Sequence, residues 1–456
     1  MSNVSLEEIA SLAKRRGFIY QGSEIYGGLA GTWDYGPLGV QLKRNIANLW
    51  WKLFVESRDD MYGIDTTILM NPRVWQASGH VETFNDPLIE DIKTKKRYRL
   101  DHLLEDNGIE NVDTMTLEQM ARVVTERNIK SPDGNGLSAP AAFNMMFKTH
   151  VGPLEDDESI AYLRPETAQG MFINFKNIID SFHPDLPFGI AQIGRNFRNE
   201  ISPGNFIFRL RELEIMEFEY FIRPESWEKC FDTWRQVQLD WFDRLGLDKA
   251  KIKEHEVPEA DRAHYSRRTV DCYYEFPSLG FQEISGLAYR TDFDLRNHQE
   301  YSGKALEYLP RDGGSSFVPH VIEPTFGLDR HVLAVLTNAY SEDELNGEKR
   351  VLLKLPAHLA PVRCAVSPLL KNKPELIRKA KEIHSMLKKD IGAIMWDDNG
   401  NIGKRYRRQD EIGTPYCVTV DFQTLEDDTV TIRDRDTAQQ HRVHSDEVVK
   451  AVSFEQ

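Results

Sequence analysis

A chain of 456 residues carries more surface than one core can cover, which implies two or three domains. Its 40% apolar and 28% charged content is that of an ordinary globular protein, and no apolar run approaches the roughly 20 residues that cross a bilayer. A net charge of −15 excludes a protein that coats nucleic acid indiscriminately.

The N-terminal stretch "MSNVSLEEIASLAKRRGF" mixes acids and bases without a signal-type apolar block, so the cytoplasm is the expected location. Leu42 to Phe54 reads as a helix, with Ile46, Leu49, Trp50 and Leu53 on one face. From about Pro87 to Glu158 the text turns polar and turn-rich around one short helix, as an inserted module would. Phe188 to Phe221 reads as a hairpin turning at "SPGN", and "YYEFPSLGFQEISGLAYRTDFDL" and "PHVIEPTFGLD" supply further strands. A boundary falls close to Pro356, giving domains 1–354 and 355–456. Beyond it a strand through Val362, Cys364 and Val366, a helix through Leu376 and Leu387, a strand in "IGAIMWDDNG", a basic helix Ile402 to Ile412 and a strand in "PYCVTVDF" suggest a small α/β domain around a largely parallel sheet.

Charge divides unevenly between the two parts. From Leu355 onward there are 16 basic and 16 acidic residues, so 41 basic (57 less 16) and 56 acidic (72 less 16) precede it. The acidic excess lies wholly in the first part. Cys230, Cys272, Cys364 and Cys417 are isolated, without a C-x-x-C or a histidine at ligand spacing; they read as reduced core thiols, and no zinc is expected.

The hairpin carries the chemistry. Alternation puts Arg198 and Glu200 on one face, and on the return Arg209, Arg211, Leu213, Ile215, Glu217 and Glu219 share one parity while Phe208, Leu210, Met216, Phe218 and Tyr220 take the other and form core. Two cations therefore sit at one end and two carboxylates at the other. A solvated sheet face with weak ion pairs would look the same. Guanidinium forks, however, meet phosphate oxygens at defined angles, and carboxylates suit an α-ammonium group, so the hairpin could hold both ends of an aminoacyl phosphate.

"FRNE", Phe197 to Glu200, followed by a loop and Arg209, resembles motif 2 of the class II aminoacyl-tRNA synthetases. "PTFGLDRHVLAVL" resembles motif 3, and "GTWDYGPLGVQLKRNIANLWW" stands where motif 1, a dimer-forming element, belongs. With "WQASGHVETFNDPL", "RYRLDHL" and "RPETAQGMF" beside them, they resemble the homodimeric glycyl-tRNA synthetase family nearly end to end. The C-terminal "GKRYRRQDEIGTPYCVTVD" is similar to that family's anticodon-binding domain.

The resemblance implies an α+β catalytic domain on an antiparallel sheet, an insertion at about 87–158, and a C-terminal α/β anticodon-binding domain. It implies activation of glycine by ATP with Mg²⁺, transfer to tRNA(Gly), and a homodimer. Arg198 would meet the α-phosphate and the attacking carboxylate, Glu200 the adenine amino group, and Arg209 or Arg211 with Arg330 the outer phosphates; Arg198, Glu200 and Arg330 form the catalytic set. Asn199, Phe208, Leu210, Glu212, Leu213, Ile284, Gly327, Leu328 and Asp329 would complete the ATP site, and Glu283 would hold Mg²⁺. The ammonium group of glycine would be met by Glu166 and Glu323 with Thr325 nearby, and Arg99, Leu213, Glu214, Ile215, Met216, Glu217, Arg290, Pro324, Phe326 and Gly327 would lie around the substrate. Lys404, Arg405, Tyr406, Arg407 and Arg408 would meet the anticodon, since unstacked bases stack on aromatic rings and guanidiniums.

One position departs from the family pattern. Leu213 stands where a phenylalanine usually stacks on adenine. Motifs 2 and 3 do not by themselves fix the side-chain pocket, so a synthetase for another small amino acid stays open. So do a non-catalytic synthetase-like subunit, against which Arg198, Glu200, Glu283 and Arg330 argue, and a ligase that passes its adenylate to a protein. P-loop, H-E-x-x-H and G-x-S-x-G motifs are missing.

Overall fold

The computed structural model describes residues 4–453 except 111, 113, 114, 264, 312 and 346. Its centre is a seven-stranded sheet made, in chain order, of β1 (Met61–Gly63), β2 (Phe188–Phe197), β3 (Glu212–Ile222), β4 (Ile252–Glu256), β5 (Arg268–Phe276), β6 (Gly280–Thr291) and β7 (His320–Gly327). In space they run β4-β5-β6-β7-β3-β2-β1, antiparallel except for the edge pair β1 and β2.

Helices cover both faces of the sheet. In chain order they are α1 (Leu6–Arg16), α2 (Pro37–Trp51), α3 (Ala168–Phe182), α4 (Trp227–Arg244), α5 (Phe293–Ser302) and α6 (Leu328–Ala339). Ser5 and Glu8 form a capping box that starts α1, and Pro37 at the first helical position starts α2. Close approach fixes α2 against the turn that follows α1: a Cβ on Gly39 would lie 1.8 Å from the Phe18 carbonyl oxygen. Met216, Phe218 and Tyr220 of β3 point to the α2 and α4 side, where Trp50, Phe54, Trp234, Trp241 and Phe326 pack. Burying each such ring contributes roughly 1.5–3 kcal/mol. Phe221 and Val321 point the other way, onto Phe172 and Phe175 of α3 and Leu295 of α5.

Covering both faces alters the expected character of β3. From Ile215 to Ile222 every residue is buried, so Glu217 and Glu219 lie on a helix-covered face rather than in solvent. The expected strand alternation of Arg198, Glu200, Arg209 and Arg211 is also corrected. β2 ends at Phe197 and β3 begins at Glu212, so all four sit in the intervening loop, whose tight turn is at Asn205–Phe208 rather than at "SPGN". Asn205 and Phe206 take positive φ there, 59° and 58°. Phe208 and Leu210 are nevertheless buried, as their parity suggested.

The inserted text is more ordered than one short helix. Asn85–Glu90, Arg97–Arg99 and Ala141–Asn144 form a three-stranded sheet, Leu100–Asp106 and Leu117–Glu126 are helices, and Ile89, Leu100, Leu104 and Met120 make a separate small core. Polar turn text hid it because its apolar residues are few and spaced.

After α6 the chain forms a hairpin, β8 (Tyr340–Leu345) and β9 (Glu348–Leu353), and then a second sheet: β10 (Cys364–Pro368), β11 (Ile394–Trp396), β12 (Tyr416–Val420), β13 (Thr429–Asp434) and β14 (Gln440–His444). Helices α7 (Pro374–Asp390) and α8 (Ile402–Ile412) accompany it. The order is β11-β10-β12-β13-β14. β10 pairs in parallel with β11 and β12, but β12–β13 and β13–β14 are antiparallel, so the sheet is mixed rather than largely parallel. Its last two strands return as a hairpin with no crossover helix, which imposes antiparallel pairing. No helix among the described residues is long and apolar enough to cross a membrane.

Candidate active site

A cavity opens where the 198–211 loop, the start of β3, β6 and the N-terminus of α6 meet. Arg198, Glu200, Phe208, Arg209, Leu213, Glu283, Ser285, Thr325 and Arg330 all line it. The loop is held by its own backbone: Arg198 N–H donates to the Arg211 carbonyl at 2.9 Å, and the Arg211 guanidinium donates to the Glu200 and Ala30 carbonyls at 3.0 and 2.8 Å. Arg211 is thereby committed to structure, so of the two arginines on the return side of the loop it is Arg209 that joins Arg198 on the cavity wall. Arg330 donates to the Glu283 carbonyl and carboxylate at 2.8 and 3.2 Å and lies over the Phe208 ring at 4.5 Å. Glu200 Oε2 and Ser285 Oγ are buried there without a hydrogen-bond partner among the described residues, the state of polar atoms awaiting a ligand.

Behind it, on the face under α3 and α5, lies a chamber of acids. Both oxygens of Glu217 are held, one by Thr325 Oγ1 at 2.7 Å and the other by Thr167 Oγ1 at 2.5 Å. Glu323 accepts from Arg290 at 2.6 Å, and the same guanidinium donates twice to Asp294 at 2.8 Å. Glu166 Oε2 stands 3.2 Å from His80 Nε2, and Glu166 Oε1 accepts from Gln169 at 2.9 Å. Burial works against ionisation of Glu166, but His80 and Arg290 outweigh it and hold the carboxyl well below the usual range. Burial and Glu166 push Glu217 up; burial pushes Glu323 far up, with Arg290 opposing and Glu217 adding to it.

Two stretches of the chain match family models: residues 147–340 match the "tRNA synthetase class II core domain (G, H, P, S and T)" and residues 363–455 the "Anticodon binding domain". The chain is 46% identical to the glycine–tRNA ligase of Thermus thermophilus, covering 97% of both chains. Identity to the glycine–tRNA ligase of Caldanaerobacter subterraneus subsp. tengcongensis is 48% over 98% of this chain and 97% of that one. With that of Clostridium tetani it is 48% over 98% of each. The chain belongs to the glycine–tRNA ligase family. It is a class II aminoacyl-tRNA synthetase, with that class's antiparallel catalytic sheet and a C-terminal anticodon-binding domain.

Within this glycine–tRNA ligase fold several residues expected at the site lie elsewhere. Met216 and Phe326 are fully buried in the core under α2 and α4, on the opposite face of the sheet from Glu217 and Glu219. Glu212 is exposed and pairs with Arg195 at 2.5 Å. Asn199 contributes a backbone N–H to the Met145 carbonyl. Glu214 and Asp329 do line the cavity, and Asp329 also accepts from Tyr35 at 2.5 Å, from Lys43 at 3.2 Å and from the Glu214 N–H at 2.7 Å, while Lys43 meets Glu214 at 2.7 Å; these contacts tie α2 to motifs 2 and 3. Leu210, Ile215, Ile284 and Gly327 line the cavity, whereas Leu328 is a core residue that borders the neighbouring hollow. Pro324 is buried in β7. Arg290 is buried with three of its donors engaged, and Arg99 is paired with Asp86 at 2.9 Å and with Asp101.

Two further groups, Asp271 and His80, escaped the sequence reading, and Glu219, read there as one of the hairpin's two end carboxylates, joins them. Asp271 of β5 is pushed up to about 7 by burial and by the nearby Glu283 carboxylate on the neighbouring strand. His80 and Glu219 enter the acid chamber from the "SGH" turn and from β3. "WQASGH" and the Glu217/Glu219 parity were the available signals for the last two; Asp271 had none.

Between the first part of the chain and the C-terminal domain a cleft of about 940 Å³ is lined by Arg16 and Glu348 from the one and by Lys404, Tyr406, Arg407, Arg408 and Arg433 from the other, among others. The five residues of "KRYRR" do not form one free patch. Arg405 is buried and donates to the carbonyls of Pro368, Asp398 and Gly400. Arg408 pairs with Asp397 at 2.6 Å and Arg407 with Glu348 at 3.3 Å. The Tyr406 ring lies under the Arg433 guanidinium at 4.8 Å, and Lys404 is exposed.

Proposed function

We propose that the chain activates glycine with ATP and transfers it to the 3′ end of tRNA(Gly), with the following division of labour. Adenine lies over Leu213, with its amino group on the unpartnered Glu200 oxygen. Arg198 meets the α-phosphate and the glycine carboxylate; Arg209 and Arg330 meet the outer phosphates. The glycine carboxylate oxygen attacks the α-phosphorus, the bond to the bridging oxygen breaks, and pyrophosphate leaves. Fixed guanidiniums act where negative charge grows on the α-phosphoryl oxygens, and this needs no protein nucleophile. A terminal ribose hydroxyl of tRNA then attacks the glycyl carbonyl and AMP leaves.

The ammonium group of glycine sits among Glu166, Glu217 and Glu323. Glycine offers no side chain to grip, so selection rests on these carboxylates and on filled space around the α-carbon. Glu283 lines the cavity and Asp271 lies close enough to feel its charge, and two oxygen donors that repel each other fit a hard dication, which would relieve the repulsion. Those two would hold Mg²⁺, which supplies charge neutralisation on the outer phosphates. The catalytic body is 1–354 with 87–158 inserted, and 355–456 carries the anticodon contacts through Lys404, Tyr406 and Arg407. Ile25, Tyr26 and Leu29, 88%, 87% and 56% exposed near α2, support a homodimer across that face. A place in the cytoplasm goes with this role.

The observation that carries the reading is the single cavity shared by Arg198, Arg209, Arg330, Glu283 and Thr325. Glycine-dependent ATP–pyrophosphate exchange tests it, with alanine and serine as controls. Exchange with glycine alone, lost in Arg198→Ala, is the expected result. Equal exchange with alanine or serine overturns the amino-acid assignment, and no exchange with any amino acid makes the chain a non-catalytic relative.

A further inference from the structure

Glu219 lies two residues beyond Glu217 on the same face of β3. In the β3–β7 ladder Glu217 faces Thr325 and Tyr220 faces Ile322, which places Glu219 directly opposite Glu323. Like charges opposite each other in a buried ladder repel. Ligand oxygens of Glu217, Glu219 and Glu323 come within 4.8 Å of one another. Glu219 is 0% exposed, and neither of its oxygens has a hydrogen-bond partner among the described residues.

The groups facing this pair are Glu217 on β3, Arg290 on β6, Asp294 and His298 on α5, Glu166 and His80 at the entry to α3, and Tyr265 above Arg290. Arg290 already serves Asp294 and Glu323. Arg290, with His80 beside Glu166, does not offset five buried carboxyls, and a buried ionised carboxylate without partners is far too costly to persist.

We propose that the empty glycine chamber keeps a proton on the Glu219–Glu323 pair, and that the incoming ammonium group displaces it. Glu219 is thus a positioning residue: it carries no contact of its own but makes the chamber selective for a cation by exchanging one positive charge for another. The displaced proton passes to solvent, and the ammonium retains all of its own. Burial pushes both Glu219 and Glu323 far above the usual carboxylate range, with Glu323 adding to the shift of Glu219, and with Arg290 opposing and Glu217 adding to that of Glu323, in keeping with a proton held at neutral pH. This inference rests on the glycine chamber assigned above.

Sign follows from linkage. Glycine binding that releases a proton tightens as pH rises and levels off once the empty chamber has lost its proton. One exchanged proton changes the glycine dissociation constant by about tenfold per pH unit.

Glycine binding to the full-length protein is measured by calorimetry between pH 6 and 8, in phosphate and in Tris. Tightening with pH, and a binding heat that differs between the buffers by the release of close to one proton, support the proposal. Glu219→Gln removes one acid at the same shape, and its affinity should vary less than about threefold over the same range. Intact binding with a flat wild-type profile and buffer-independent heat overturns the proposal alone. Retention of the full wild-type slope in Glu219→Gln does the same. Failure of glycine to bind at any pH overturns the chamber assignment together with it.

Discussion

Thr325 Oγ1 donates to Glu217 Oε1 at 2.7 Å, across the ladder position where the two residues face each other. Thr167 takes the other oxygen, so the carboxylate is oriented before any ligand arrives. Thr325→Ser keeps the donor and should leave the glycine KM within about twofold. Thr325→Val removes it from a buried acceptor, a loss of about 1–3 kcal/mol, and should raise the glycine KM by roughly 5- to 150-fold while the ATP KM stays put. Exchange kinetics with each substrate varied in turn check this; an equal rise in both KM values would count against an ammonium role for Glu217.

Leu213 occupies the cavity wall beside Glu200 and Arg198 and packs at the edge of the main core. Leucine covers a base with apolar surface but lacks ring stacking, worth about 0.5–1.5 kcal/mol for aromatic pairs. Leu213→Phe should therefore tighten ATP about 2- to 12-fold in equilibrium binding. A dissociation constant that is unchanged or raised would mean that adenine does not lie on this side chain.

The sequence made the acids and guanidiniums of the site legible because their order along the chain matched three class II motifs. Periodicity was a poorer guide at the same place. It put Arg209 and Arg211 on one strand face, but a loop has no fixed parity, and only the coordinates distinguish Arg209 on the cavity wall from Arg211 bonded to carbonyls. It also left a solvated face and a ligand-holding face equally open for Glu219, since burial of β3 on both sides depends on α3 and α5, elements remote in sequence. In "KRYRR" a run of charge looked uniform, while helical spacing puts Arg405, Gln409 and Ile412 on the buried stripe.

Asp410 ties the two halves of the molecule together. It is fully buried and accepts twice from Arg433, at 2.7 and 3.0 Å, and Arg350 of β9 reaches it at 3.4 Å while pairing with Asp343. Asp410→Asn leaves two buried guanidiniums short of a charge, a loss of about 3–5 kcal/mol, and should lower the melting temperature of the C-terminal domain by several degrees. Glu411→Gln, by contrast, breaks a partly exposed contact with Arg16, worth about 0–1 kcal/mol. Thermal melts of both variants separate the cases; similar shifts for the two would show that Asp410 is not a structural tie.

Lys404 and Arg405 are adjacent on α8 and should behave oppositely. Arg405→Ala leaves the carbonyls of Pro368, Asp398 and Gly400 without their donor, so it should destabilise the C-terminal domain whether or not tRNA is present. Lys404→Ala removes an exposed cation at the rim of the 940 Å³ cleft. It should raise the tRNA KM a few-fold and shallow its salt dependence by close to one unit, as loss of one phosphate contact does. Glycine–ATP exchange, which needs no tRNA, should be untouched in Lys404→Ala. A Lys404→Ala protein that charges tRNA with an unchanged KM and salt slope would remove this face of α8 from the anticodon contacts.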